Sequence, residues 1–113
     1  MQSQFNENSL QVEILAEKAT AYFATIRKME AALATLRNFD ALPKVGSSSE
    51  HQKHREQLAA RAAEKVWFFI IQREALKLPV YEELFSEFDI PDEIRLRMGS
   101  NSVPRAWSAS IMA

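Results

Sequence analysis

The chain has 113 residues, no cysteine and a formal net charge of −1. That removes disulfides, thiol chemistry and cysteine-held metal centres, and it gives no overall basic excess for nucleic acid. Apolar residues make up 47% and charged residues 26%, enough for one small core beneath a well-solvated surface, and with only two glycines and four prolines long helices are expected rather than a many-turned β fold.

Residues 1–8 are polar and are expected to form a flexible N-terminal arm. They lack the basic and then apolar pattern of a secretory leader. A cytoplasmic protein is expected.

A first helix is predicted over residues 9–39, with Ser9 as its N-cap. Its apolar seam is Val12, Leu15, Ala19, Tyr22, Ile26, Met29, Leu33 and Leu36, at alternating spacings of three and four. That heptad pattern lays one stripe against a partner helix. Glu13 and Glu17 fall away from the seam and Glu30 flanks it, the distribution of surface charges. Asn38, Asp40 and Pro43 signal the end of the helix, and residues 40–49 form the main loop.

Two capping boxes mark the start of a second helix, Ser47 with Glu50 or Ser49 with Gln52. This helix is expected over residues 49–77, with an inner stripe of Leu58, Ala62, Val66, Phe69, Arg73 and Leu76. The two helices are similar in length and closely connected, so they should fold back as an antiparallel hairpin.

Within the second helix lies the unbroken run Val66, Trp67, Phe68, Phe69, Ile70 and Ile71. It is far shorter than the ~20 residues of a membrane span, and no membrane contact is expected. Successive helical residues turn by about 100°, so six of them cover every direction around the axis. These residues must therefore be sheltered from several sides, as core or as a dimer interface. A two-fold homodimer completing a four-helix bundle is expected.

A short third helix is predicted over residues 80–88 and a fourth from Pro91 to a stop at Gly99. A single domain over residues 9–99 and a mostly irregular tail over 100–113 follow, with Trp107 as the tail residue able to dock.

Few residues offer chemistry. His51 and His54 lie three apart beside Lys53 and Arg55, at a helix start whose dipole disfavours a cation, so no metal is expected there. Glu50 and His54 do not have the Glu-x-x-His spacing of a di-iron bundle. Arg73 sits on the inner stripe, and a buried guanidinium needs a partner. Glu30 or Glu17 is expected to pair with it, as a structural contact or as part of an anion pocket. Residues 81–99 resemble a helix-turn-helix carrying Arg95 and Arg97. The positions that would meet the groove are Asp92 and Glu93, of the wrong sign for phosphate, and Glu82, Glu83 and Glu87 add to that acidity. Phosphate-cradling glycine loops and nucleophile elbows are absent.

Four stretches carry a resemblance: Ala16-Glu17-Lys18-Ala19; Glu30-Ala31-Ala32-Leu33 on to Leu36-Arg37; Ala62 through Ala75 with its Trp67-to-Glu74 centre; and Ile90-Pro91-Asp92-Glu93-Ile94 on to Arg97-Met98-Gly99. Together they resemble a family of small bacterial all-helical proteins of unknown function, over about residues 10–99. The resemblance implies a helical fold in a bacterial cytoplasmic protein and assigns no activity or site residue.

The expected protein is all-α: a long antiparallel hairpin with two short C-terminal helices. Its expected role is that of a non-enzymatic structural or protein-interaction module, a homodimer with no cofactor. An unidentified protein partner is left open. The alternatives are a DNA-associated regulator using residues 81–99 and a small-anion-binding bundle.

Overall fold

The structure is a computed structural model and describes residues 2–43 and 48–101. Four helices follow in order: α1 Gln2–Ala41, α2 Ser49–Ala75, α3 Glu82–Glu87 and α4 Asp92–Asn101. No strand occurs among the described residues. The fold is the expected one, two long packed helices and two short C-terminal ones, with α1 and α4 both packed on α2.

The core is built on the heptad stripe. Met29, Leu33 and Leu36 of α1 face Ala59, Ala62, Ala63, Val66, Phe69 and Ile70 of α2. The three alanines let the helix backbones approach, since interaxial distance follows side-chain size at the contact. Leu84 and Phe85 of α3, Ile90, and Ile94 and Met98 of α4 close the other side. Phe69 meets Tyr22 and Phe88 at ring-centroid distances of 6.1 and 4.8 Å.

This arrangement corrects the reasoning about residues 66–71. Val66, Phe69 and Ile70 are buried and Trp67 and Ile71 half-buried within the single chain. Only Phe68, at 45%, stands exposed. The short helices and α1 provide the shelter, so this block does not by itself require a second copy.

Several boundaries also differ from expectation. The first helix begins at Gln2, so residues 2–8 are helical and Ser9 lies inside α1. No proline or glycine precedes Pro43 to interrupt it. The cap of α2 is Ser48, whose hydroxyl accepts from the His51 backbone N–H at 3.1 Å; Ser49, expected to cap with Gln52, is instead the first residue of α2, and Ser47 lies outside the described residues. Helix α3 is shorter than expected. Pro91 precedes α4, with its carbonyl accepting from Ile94 and Arg95.

Gly99 lies within α4 and does not end it. Glycine permits the left-handed turn that closes a helix but does not compel it. The residues that adopt that turn are Lys77, at φ 61°, and Asp89, at φ 54°. In each case two backbone bonds close the helix. Lys77 and Leu78 donate to the carbonyls of Glu74 and Arg73, and Asp89 and Ile90 to those of Ser86 and Phe85. This is the Schellman pattern, in which the left-handed residue satisfies two carbonyls that the helix leaves open. Of the tail, Ser100 and Asn101 extend α4; Trp107 and the rest lie outside the described residues, as do residues 44–47 of the loop.

Helix α1 outruns its partner. Forty residues at 1.5 Å each make a rod of about 60 Å, against about 40 Å for α2. The molecule measures 71 Å along its longest axis and 29 and 21 Å across. The heptad seam divides accordingly. From Met29 onward its members are buried, Tyr22 and Ile26 are half-buried, and Val12, Leu15 and Ala19 are exposed. Every residue from 8 to 21 is exposed, so this part of α1 is an overhang that no other described element covers.

Candidate functional site

The buried stripe of α2 runs Ala59, Ala62, Val66 and Phe69 at spacings of three and four, and an arginine stands four residues beyond each end. Each arginine ties α2 to other elements. At the N-terminal end, Arg55 donates through Nε and Nη2 to the Asp40 carboxylate at 2.8 and 3.0 Å. Through Nη1 and Nη2 it also donates to Glu93 at 2.7 and 2.9 Å. One guanidinium thus joins the end of α1, the start of α2 and the first turn of α4. The planar fork of donors makes this double recognition available to arginine and not to lysine. Its hydrogen bonds hold the Glu93 carboxyl below the usual carboxylate range, and Glu93 and Asp40 raise the pKa of Arg55 in turn.

At the other end, Arg73 is half-buried. Its Nη1 donates to the Tyr22 hydroxyl at 2.8 Å, and Nε and Nη2 donate to the Pro79 carbonyl at 3.0 and 2.7 Å. The guanidinium carbon lies 5.9 Å from the ring centres of both Phe69 and Tyr81. Glu17 and Glu30 are exposed and accept none of these bonds, which corrects the expected ion pair. The hydroxyl and carbonyl satisfy the donors without a second charge, and the aromatic faces favour the cation. All three guanidinium nitrogens are engaged within the chain, so Arg73 does not present a ready-made anion pocket.

The other candidates resolve into packing contacts. Phe39 lies between the two histidines, with centroid distances of 4.6 Å to His51 and 4.9 Å to His54. Among the described residues, no group of three or more His, Asp or Glu side chains gathers in a way that could hold a metal ion. Arg95 donates to Glu82 and lies 4.5 Å from the Phe85 ring centre, while Arg97 donates to Glu56. The arginines of the helix-turn-helix reading thus fasten α4 to α3 and α2. Both contacts lower the pKa of the glutamate involved, chiefly through the hydrogen bond. No described helix is long and apolar enough to cross a membrane.

Two surface features remain. The first is the overhang, where Leu10, Val12, Ile14 and Leu15 are all exposed. The second is a groove of about 290 Å³ between α1 and α2, lined by Thr25, Lys28, Lys65, Phe68, Ile71 and Gln72. Lys65 Nζ lies 5.9 Å from the centre of the Phe68 ring. Sequence reasoning placed Val12 and Leu15 in a continuous seam and did not single out Leu10 or Ile14. The groove left no motif, because it exists only once the hairpin register is set.

These features define an all-α hairpin protein with a helical extension that is exposed among the described residues. No protein-family model, curated protein or solved structure matches this chain. The resemblance drawn from the four stretches between Ala16 and Gly99 therefore rests on those residues alone.

Proposed function

We propose that the protein is a non-enzymatic helical interaction module that works as a homodimer. The observation that carries this reading is the overhang. Val12 and Leu15 are each 65% exposed, and Leu10 and Ile14 are 57% and 44% exposed. Hiding a large aliphatic side chain stabilises by about 1.5–3 kcal/mol, so four of them in each copy represent a strong drive to associate. The drive is opposed by lost rotational and translational freedom, roughly 4–15 kcal/mol for a protein pair. The two ranges overlap, which places a homodimer in the reversible regime, with a mass that changes with concentration.

Sedimentation equilibrium over a concentration series tests this reading. A shift from one chain mass toward two is expected, and Leu15→Glu should move the shift to higher concentration without altering the helical circular dichroism of the hairpin. A constant single-chain mass up to the highest concentration would reject the proposal.

A further inference from the structure

We infer that the overhang of a second copy lies in the α1–α2 groove, and that the contact is reciprocal; this rests on the homodimer reading and specifies its contact surface. Leu10, Ile14, Ala21, Thr25 and Lys28 follow one another on α1 at spacings of four, seven, four and three. They therefore form a single line along the helix. One end of the line is the exposed aliphatic pair Leu10 and Ile14, and the other end is the α1 wall of the groove. A two-fold axis across the middle of this line sends the aliphatic pair of each copy to the groove of the other. Ala21 stands in that central region, exposed and small enough for two helices to approach closely. Such a contact uses one patch on both partners and closes at two copies.

The chemistry of the two ends is complementary. The groove offers the apolar surfaces of Phe68, 45% exposed, and of Ile71, and its charges are Lys28 and Lys65. Along one edge of the overhang's aliphatic pair, Glu13 and Glu17 each stand three residues after Leu10 and Ile14. Two carboxylates thus accompany the aliphatic anchors, and two ammonium groups accompany the surface that receives them. Opposed charges of this kind set partner choice and orientation. Lys18 borders the other edge of the aliphatic pair, where its long stem lets the ammonium group reach water.

The experiment uses two charge-reversed full-length chains, Glu13→Lys/Glu17→Lys and Lys28→Glu/Lys65→Glu. Each variant alone brings like charges together at both contacts and should weaken self-association by about tenfold or more. An equal mixture restores opposite charges at both contacts, so a heterodimer should form at the concentration where the unaltered chain dimerises. Sedimentation equilibrium reads all four samples, and recovery in the mixture also shows that each variant is folded. Ile14→Glu provides a second check and should dissociate the dimer while leaving the thermal melt of the hairpin in place. If the unaltered chain dimerises but the reversals leave its mass unchanged, or the mixture fails to recover, this contact is wrong while the dimer stands. If the unaltered chain stays at one chain mass throughout, both the contact and the homodimer reading fail.

Discussion

Arg73 donates to the Tyr22 hydroxyl at 2.8 Å, and the bond falls where the supported part of α1 gives way to the overhang. It crosses from the last turns of α2 to the middle of α1, while the same guanidinium holds the Pro79 carbonyl and so fixes the path of the chain toward α3. Tyr22→Phe removes the hydroxyl and keeps the ring stacked near Phe69. A hydrogen bond to a charged group is worth about 1.5–3 kcal/mol when well buried, and partial exposure here reduces that to about 1 kcal/mol. A fall of about 4 °C in melting temperature is expected by calorimetry. An unchanged melt would show that water replaces the hydroxyl without cost.

The two left-handed residues offer a gain in stability. Lys77 and Asp89 occupy a conformation that costs residues with a Cβ roughly 1–2 kcal/mol and glycine almost nothing. Glycine also adds freedom to the unfolded chain, which offsets part of the benefit. Lys77→Gly should stabilise by about 0.5–1 kcal/mol. Asp89→Gly should give less, because aspartate tolerates this region better than lysine. Urea titration would show a raised midpoint at constant slope; a lowered midpoint for Lys77→Gly would contradict the turn described at the end of α2.

Acid should weaken the junction at Arg55. In the folded chain the Glu93 carboxyl is held below its ordinary value of 4.5, chiefly by hydrogen bonds from Arg55. Glu56 and Glu82 shift the same way beside Arg97 and Arg95. A carboxyl with a lowered folded pKa contributes fully above its unfolded value, and the contribution is lost as pH falls through the folded value. Stability should therefore be level near neutrality and decline below about pH 4.5. Glu93→Gln should show a shallower decline. These side chains are substantially exposed, so the effect is screened by solvent and should diminish further in salt. Parallel slopes for the two proteins would remove Glu93 from the linkage.

Adjacent phenylalanines should behave oppositely. Phe69 is fully buried and Phe68 is 45% exposed. Phe69→Ala should cost about 3–5 kcal/mol, the usual effect of emptying a buried aromatic site, and a large share of a domain stability of about 5–15 kcal/mol. Phe68→Ala should leave the melt of the single chain nearly unchanged and instead weaken self-association through the groove. Equal destabilisation by the two substitutions would contradict the orientation of α2.

The helical hairpin was legible in the sequence because its evidence is local. Threes and fours along α1 and α2 give both the helices and the stripe from Met29 to Leu36. The division of the full seam, Val12 to Leu36, at Tyr22 was not legible, since Val12 and Leu15 carry the same pattern as Leu33 and Leu36, and only the length of α2 decides which are covered. The partner of Arg73 escaped for a different reason: one acceptor is a backbone carbonyl, which every residue possesses, and the other is a neutral hydroxyl. The role of Arg55 did leave a signal, four residues before Ala59 on the buried stripe. Its engagement with Asp40 and Glu93 required knowing where α4 returns. Lys77 and Asp89 stand in the left-handed conformation at the helix ends where glycine is the usual residue, so residue type did not mark these two closures.

The alanines at positions 59, 62 and 63 set a narrow tolerance for the whole molecule. Because Met29, Leu33 and Leu36 of α1 pack in one core with these single-carbon side chains of α2, the gap between the rods at that level leaves no slack for anything bulkier. A leucine placed at Ala62 would act as a wedge, prying the rods apart and carrying the rings of Tyr22 and Phe69 out of step. The pitch of the hairpin thus depends on methyl groups, the part of the sequence with the least chemistry to display.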